Sequence, residues 1–473
     1  MDIAQLEGLL NGDLIVLLAY GVLILAVGWH GRSRARSRED YLLAGRRLGY
    51  GMYLGTLAAV VLGGASTIGT VRLGYVHGLS AVWFVFMLGL GVVALSLLFS
   101  STLSAMRLYT ITGLLAWRYH HQAKHLGGVV MVAYMLMVAV TATMASGTVV
   151  QTMFQLPRIP TIILVSLVVV LYTSWGGMWS LTLTDCTQFV IMTVGIFGLL
   201  LPAALRHGGG WGSLQAALPD SFFALDAIGY PTIAGFFLLY FFGVLIGQDI
   251  WQRLLTARST AVVRYAGIGA GIYCMGYGLA CAIIGMAGHA LLPPLDPDHV
   301  DQAFAQMTME VLPMPWRGLV ASAALAAIMS TASAALLGCA TVLRQDVCGS
   351  NSTAPGTPGL LQSERGLVWL TGTVMLGLAC LMDDVMEALS VAYNLLVGML
   401  LVPTLGALLW RKASASGAWA AMAMGGCVAI ALMAWRGVSS PTIPLLALLA
   451  ALLGFVAGSL VRPAAAVPAQ PGS

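Results

Sequence analysis

Hydrophobic residues along this chain do not alternate with polar ones. They gather in long runs near 13–30, 50–75, 80–103, 127–155, 159–175, 185–204, 230–252, 265–292, 315–344, 365–382, 386–410, 417–436 and 441–462. A helix that crosses a bilayer needs about 20 mostly apolar residues, and these runs are of that order. Backbone groups in hydrocarbon must be satisfied within the segment, and the runs are too long and too uniformly apolar for barrel strands. The pattern therefore predicts an all-α polytopic membrane protein with about thirteen transmembrane helices. The first run, Leu14 to Trp29, follows an acidic start and no small-residue cleavage motif follows it, so it reads as a retained helix and not as a signal peptide.

Composition agrees and narrows the class. Only 8% of the 473 residues are charged, against about 25% in soluble proteins, while 59% are hydrophobic and the mean hydropathy is +0.90. Cytosolic enzymes, secreted disulfide scaffolds and disordered proteins are excluded. The net charge of +4 does not point to nucleic acid, because the cations sit in short loops. Counted in alternate loops, seventeen of the 22 Lys and Arg, Arg253 among them, fall on one side. The other side has four, Arg158, Arg206, Arg317 and Arg436, and Arg72 remains inside a run. Positive loops stay cytoplasmic, which places the N-terminus outside and the C-terminus inside. The seven cysteines include no CxxC pair and read as small apolar residues. The loops 205–229 and 293–314 are longer than connections require, and the Ala/Pro-rich tail 463–473 is expected to be disordered.

In a helical bundle the informative residues are the costly ones, and glycine-broken helices mark where backbone can serve as ligand. One such segment runs from Gly63-Gly64 through Ser66, Thr67, Gly69 and Thr70 to Arg72 and Gly74. Another runs from Tyr240 through Gly243 and Gly247 to Gln248-Asp249. They lie five runs apart, the pattern of two inverted five-helix repeats about a midplane site. Alternatively, the small residues only let helices pack closely. In a third segment, Ala327, Ser330 and Thr331 share one helix face and can aim a carbonyl and two hydroxyls at one point. Uncharged hard oxygens suit a weakly held monovalent cation such as sodium. Alternatively, the hydroxyls bond back to their own helix.

Several motifs resemble the sodium/solute symporter family. They are Asp40-Tyr41-Leu42-Leu43-Ala44-Gly45-Arg46, Tyr172-Thr173 with Gly176-Gly177-Met178-Trp179, Leu183-Thr184-Asp185 with Gln188, Gly247-Gln248-Asp249 with Trp251-Gln252-Arg253, and Ala327-Ile328-Met329-Ser330-Thr331. The resemblance runs from about residue 40 to 420 in the family's order. It implies a single membrane transport domain with the leucine-transporter fold: an extra N-terminal helix at 13–30, a first inverted repeat at 50–204, a second at 230–411, and two peripheral helices within 417–462.

The same resemblance implies a sodium site formed by Ala59, Leu62, Ala327, Ser330 and Thr331. Asp185 and Ser333 match a second sodium site or a sodium exit path, although Ala334 stands where another hydroxyl is expected. The substrate cavity should lie among Ser66, Thr67, Thr70, Trp83, Thr141, Tyr240 and Gly243, with Arg72 either binding a substrate carboxylate or snorkelling to the surface.

The function expected is sodium-coupled import of a small organic solute by alternating access, in a plasma membrane such as the bacterial inner membrane. No organic cofactor, no nucleic acid and no required protein partner is implied, and sodium is the coupling ion. A membrane redox enzyme would need paired histidines inside spans, but the eight His lie mostly in loops or at helix ends. An intramembrane hydrolase lacks a nucleophile beside a base. Proton coupling in the same fold, or a transporter-like sensor, are the closer alternatives.

Overall fold

The computed structural model describes residues 12–101, 108–119, 121–348, 360–382 and 384–462. Arg107, Asp383 and the 463–473 tail lie outside them. Every described element is helical, apart from one isolated bridge pairing Leu48 with Ala257. In chain order the long helices and half-helices are α1 (Gly12–Arg32), α2 (Tyr50–Val61), α3 (Thr70–His77), α4 (Val82–Leu98), α5 (His121–Phe154), α6 (Arg158–Gly176), α7 (Met178–His207), α8 (Tyr230–Ile246), α9 (Gln248–Leu254), α10 (Thr260–Leu291), α11 (Trp316–Val347), α12 (Leu360–Leu381), α13 (Val385–Leu409), α14 (Ala415–Arg436) and α15 (Thr442–Val461).

Among the described residues, eleven helices are long and apolar enough to cross a membrane, or twelve when α8 and α9 are taken as one span bent by 44°. The expected thirteen differ from this at the run 50–75. There α2 has only 12 residues, too few to cross alone. The chain leaves the helix at Leu62 (φ −92°, ψ 76°), makes a wide turn over Ala65–Gly69 and continues as α3. A positive φ at Gly78 then separates α3 from α4. The second break falls at Gly247, whose extended backbone (φ −69°, ψ 127°) divides α8 from α9.

Glycine permits the first break sterically. A Cβ on Gly63 would lie 2.7 Å from Thr331 Oγ1, and one on Gly64 would lie 2.6 Å from the Ala145 methyl. The broken segment is thus pressed between α11 and α5. About nine-tenths of the apolar stretch of α11 is buried, against 28% for α1, so α11 is an axis of the bundle and α1 faces lipid along most of its length. Around α11 pack α5, α7, α2 and α1, while α10 packs on α4, α3 and α2. The last two helices, α14 and α15, pair with each other at the periphery.

Leu48 N–H donates to Thr256 O and Arg258 N–H donates to Leu48 O, at 3.0 and 3.1 Å. The start of α2 and the end of α9 therefore share one face, and the two broken helices run in opposite directions. The short helix Arg38–Leu43 closes that face. Its Tyr41 packs over Gly177, whose positive φ lets the α6–α7 turn touch the Tyr41 backbone. Gln252 Nε2 donates to Leu42 O at 2.9 Å, and Arg38 pairs with Glu364 of α12 at 2.9 Å.

Candidate functional site

The last turn of α2 ends in carbonyls with no further helix to receive them, and α11 supplies hydroxyls opposite. Ser330 Oγ donates to Ala59 O at 2.8 Å and to Ala327 O at 2.9 Å. Thr331 Oγ1 donates to Val60 O at 2.9 Å and lies 3.3 Å from Ala327 O. Five oxygens, three carbonyl and two hydroxyl, thus converge between the two helices. The hydroxyls bond back to α11 and also cross to α2. Thr331 meets Val60, where Leu62 was expected; Leu62 is the buried cap of α2 and donates its N–H to Ala58 O. Carbonyls at the C-terminal end of a half-helix carry the negative end of its dipole. Together with neutral hydroxyls, such carbonyls form a donor set for a monovalent cation.

Asp185 is fully buried in α7, with Oδ2 accepting from Thr56 Oγ1 at 2.5 Å and from Arg253 Nη2 at 2.9 Å. Arg253, counted above among loop cations, is instead fully buried in the last turn of α9. The correction has a physical basis: α9 carries a continuous buried face from Gln248 to Leu254, which draws Arg253 inward to its counter-ion. Asp185 is therefore already neutralised by an arginine, while its Oδ1 has no hydrogen-bond partner. Ser333 Oγ donates to Ser330 O at 3.1 Å, one turn beyond the oxygen cluster. Near it, Tyr172 donates to Met329 O at 2.9 Å and Gln188 donates to the Tyr20 hydroxyl at 3.1 Å.

A small cavity of about 40 Å³ lies beside the broken segment, well below the usual range of occupied ligand pockets, about 300–1,000 Å³. Gly63, Gly64, Ser66, Thr141, Asp249 and Thr331 line it along one side, and Phe84, Tyr240 and Tyr393 form an aromatic wall. The rings of Phe84 and Tyr240 are 4.6 Å apart, and those of Tyr240 and Tyr393 are 5.0 Å apart. Thr331 belongs both to the oxygen cluster and to the cavity wall.

Of the expected substrate residues, Ser66, Thr141 and Tyr240 reach this cavity. Gly243 backs the Tyr393 ring, which a Cβ there would strike at 2.3 Å. The others point elsewhere. Thr67 Oγ1 meets the Tyr277 hydroxyl of α10 at 3.1 Å, Trp83 Nε1 donates to Leu225 O in a surface loop at 2.7 Å, and Thr70 is buried without a hydrogen-bond partner for its hydroxyl. Arg72 is about 30% exposed and pairs with Asp301 at 3.2 Å and Asp384 at 3.8 Å. It reaches outward to carboxylates of its own chain, away from the cavity. Arg72, Asp384 and Ser390 line a second cavity that shares Tyr240 with the inner one, so the Tyr240 ring lies between the two.

Val60, Asp249 and Tyr393 are site residues absent from the sequence expectation. Asp249 was visible at the polar end of the second glycine-broken segment. Tyr393 was not, since nothing in an apolar run marks which aromatic faces a cavity. Val60 contributes only backbone, and its register depends on where α2 breaks.

The chain matches the sodium:solute symporter family over residues 41–425. It is 26% identical over 450 residues to a sodium/proline symporter of Staphylococcus aureus, with 89% of this chain and 86% of the relative covered. Its fold is similar to that of a Na+-coupled sialic acid symporter in a substrate-bound outward-open state, with a TM-score of 0.84 at 17% identity, over 97% of this chain and 99% of the other. It is also similar to Mhp1, a nucleobase-cation-symport-1 family transporter, in a closed conformation with bromovinylhydantoin bound, with a TM-score of 0.58 at 14% identity, over 90% and 96% of the two chains. With four-fifths of its length matched, a broken helix whose carbonyls face two hydroxyls, and a cavity beside that break, the chain belongs to the sodium:solute symporter family.

Proposed function

We propose that the protein imports a small organic solute with sodium held between α2 and α11. It is a transporter and not an enzyme. The carrying observation is the convergence of Ala59, Val60 and Ala327 carbonyls on the Ser330 and Thr331 hydroxyls. A sodium ion there takes the lone pairs of both hydroxyls and the carbonyls they now donate to, exchanging two interhelical hydrogen bonds for ion–oxygen contacts. Because Thr331 also lines the cavity, the ion orders the wall that the solute meets. An ion drives the cycle only by its differential affinity for the two conformations, and a site split between two helices that move apart has that property. Asp185 and Ser333 lie on the sodium exit path. The Arg253 ion pair leaves Asp185 one free oxygen, which favours a passing contact over a second resident ion.

The architecture proposed is thirteen crossings, with α2 through α3 counted as one broken span. The inverted repeats occupy 50–204 and 230–411, and the extra helices are α1, α14 and α15. The opposite directions of α2 and α9 support it. The cation-rich face is assigned to the cytoplasm and the N-terminus to the outside. Arg72 with Asp301 and Asp384 then forms an outer closure above Tyr240.

The test is sodium titration of thermal stability in purified protein, since a ligand that binds the folded state raises its apparent stability. Thr331→Ala and Ser330→Ala should raise the half-saturating sodium concentration about tenfold or more, a loss of about 1.4 kcal/mol each, while Ser333→Ala stays near wild type. An unchanged sodium requirement in both of the first two variants contradicts the site.

A further inference from the structure

Asp249 is the one residue with a formal charge among the described residues lining the inner cavity. It is 5% exposed, and its Oδ1 has no hydrogen-bond partner. The nearest cation, Arg253, is committed to Asp185 through Nη2 at 2.9 Å and gives Asp249 only a 3.4 Å contact to its backbone carbonyl. Backbone N–H groups at the start of α9 hold the Asp249 carboxylate, but its Oδ1 is unsatisfied and, among the described residues, no side-chain cation forms an ion pair with it. A buried carboxylate without an ion-pair partner is costly in a membrane interior, so the site can take a cation that arrives with the solute.

The surrounding side chains specify what kind of cation. Tyr240 and Tyr393 meet edge to face at 5.0 Å, and Tyr134 and Tyr393 do so at 5.4 Å. Phe84, Tyr240 and Tyr393 line the cavity with aromatic rings, and Tyr134 backs Tyr393. Aromatic faces attract organic ammonium groups, whereas a small hard ion prefers the dense oxygen cluster at Ser330 and Thr331. The two features sort two cations into two places: sodium at the oxygens, and a carbon-bearing nitrogen cation between the rings and the carboxylate.

We propose that Asp249 is the specificity-determining residue for solutes carrying a cationic nitrogen, which its carboxylate pairs with inside the aromatic wall. This rests on the sodium-coupled reading above and names the chemical class of its solute. Solutes whose only charge is negative are excluded by the same carboxylate.

Charge-isosteric probes test it. Choline and 3,3-dimethyl-1-butanol differ only in the cationic centre, as L-proline and cyclopentanecarboxylate differ in the amine. Thermal stabilisation of the full chain is measured with each, in saturating sodium, together with a homologous series of amines, amino acids and their uncharged or acidic counterparts. The expected result is stabilisation confined to cationic-nitrogen compounds, weakened about thirtyfold or more in Asp249→Asn and largely retained in Asp249→Glu. Stabilisation by the neutral or acidic members equal to that of their amine partners overturns the proposal, as does Asp249→Asn binding the amine as tightly as wild type. Sodium titration without solute separates the two levels. If Asp249→Asn keeps the wild-type sodium requirement, the sodium site stands whatever the amine result; if that requirement rises as it does in Thr331→Ala, Asp249 is a sodium counter-ion and the amine assignment falls. Should Asp249→Asn fail to fold, the wild-type selectivity across the isosteric pairs and the Glu variant still decide.

Discussion

Arg253 and Asp185 form an ion pair at 2.9 Å with no solvent exposure on either side. Removing one partner of such a pair strands the other charge and costs about 3–5 kcal/mol, whereas replacing both by apolar groups is often close to neutral. Arg253→Met should therefore lower the stability of the purified protein more than the Asp185→Asn/Arg253→Met double variant does, a non-additivity read by melting curves of the three variants. Additive losses would mean that the pair is not formed. At this scale the sequence is uneven as a guide. Ser330, Thr331 and Ala327 were legible because helical spacing places them on one face. Arg253 was not, since position near the end of an apolar run is compatible with either a loop or a buried turn, and its partner Asp185 lies 68 residues away. Thr67 and Thr70 stand near a glycine break, but in the π-turn at Ala65–Gly69 Thr67 meets Tyr277 and only Ser66 brings a hydroxyl to the cavity.

The segment from Ser37 to Arg47 acts as one element. Ser37 Oγ accepts from Asp40 N–H at 3.0 Å, and Asp40 Oδ2 accepts from Ser37 N–H at 3.2 Å, a capping box that starts the short helix. Burial pushes the Asp40 carboxyl up, but the Ser37 hydroxyl and N–H and the Arg47 guanidinium outweigh it and hold the group below the ordinary aspartate range. A carboxylate held low in the folded state contributes stability above its unfolded pKa, and that contribution is lost as pH falls through the folded value. Asp40→Asn should thus cost about 1 kcal/mol at neutral pH, with the difference from wild type shrinking as pH is lowered below about 4. A difference that is constant with pH would assign the loss to packing alone. The segment ties α1 to α9 and α12 through Leu42 and Arg38, so its loosening should be seen first at the cation-rich face. Element existence was legible: over the described residues every apolar run is helical apart from the breaks at Leu62 and Gly247. Where elements break was less so, because a glycine pair in a membrane helix marks equally a close packing and an unwound turn, and only the approach of Thr331 and Ala145 to Gly63 and Gly64 decides between them.

Across the whole molecule, the cavity beside Arg72, the Tyr240 ring, the inner cavity and the oxygen cluster at Thr331 follow one another in contact. The cation-rich face beyond is closed by the Arg38–Leu43 helix and the packed α9. On the proposed reading, this order lets one bundle couple two cargoes: ion and solute would share the Thr331 wall, and each route out would be blocked by groups that must part. The direct measurement is current in proteoliposomes holding the purified protein, recorded as the amine and amino-acid panel is added in sodium, and again with potassium replacing sodium. Sodium-coupled symport predicts a solute-evoked inward positive current in sodium that disappears in potassium and falls sharply in Thr331→Ala. A solute-evoked current of equal size in potassium, or one driven by a pH gradient alone, would contradict sodium coupling through α2 and α11.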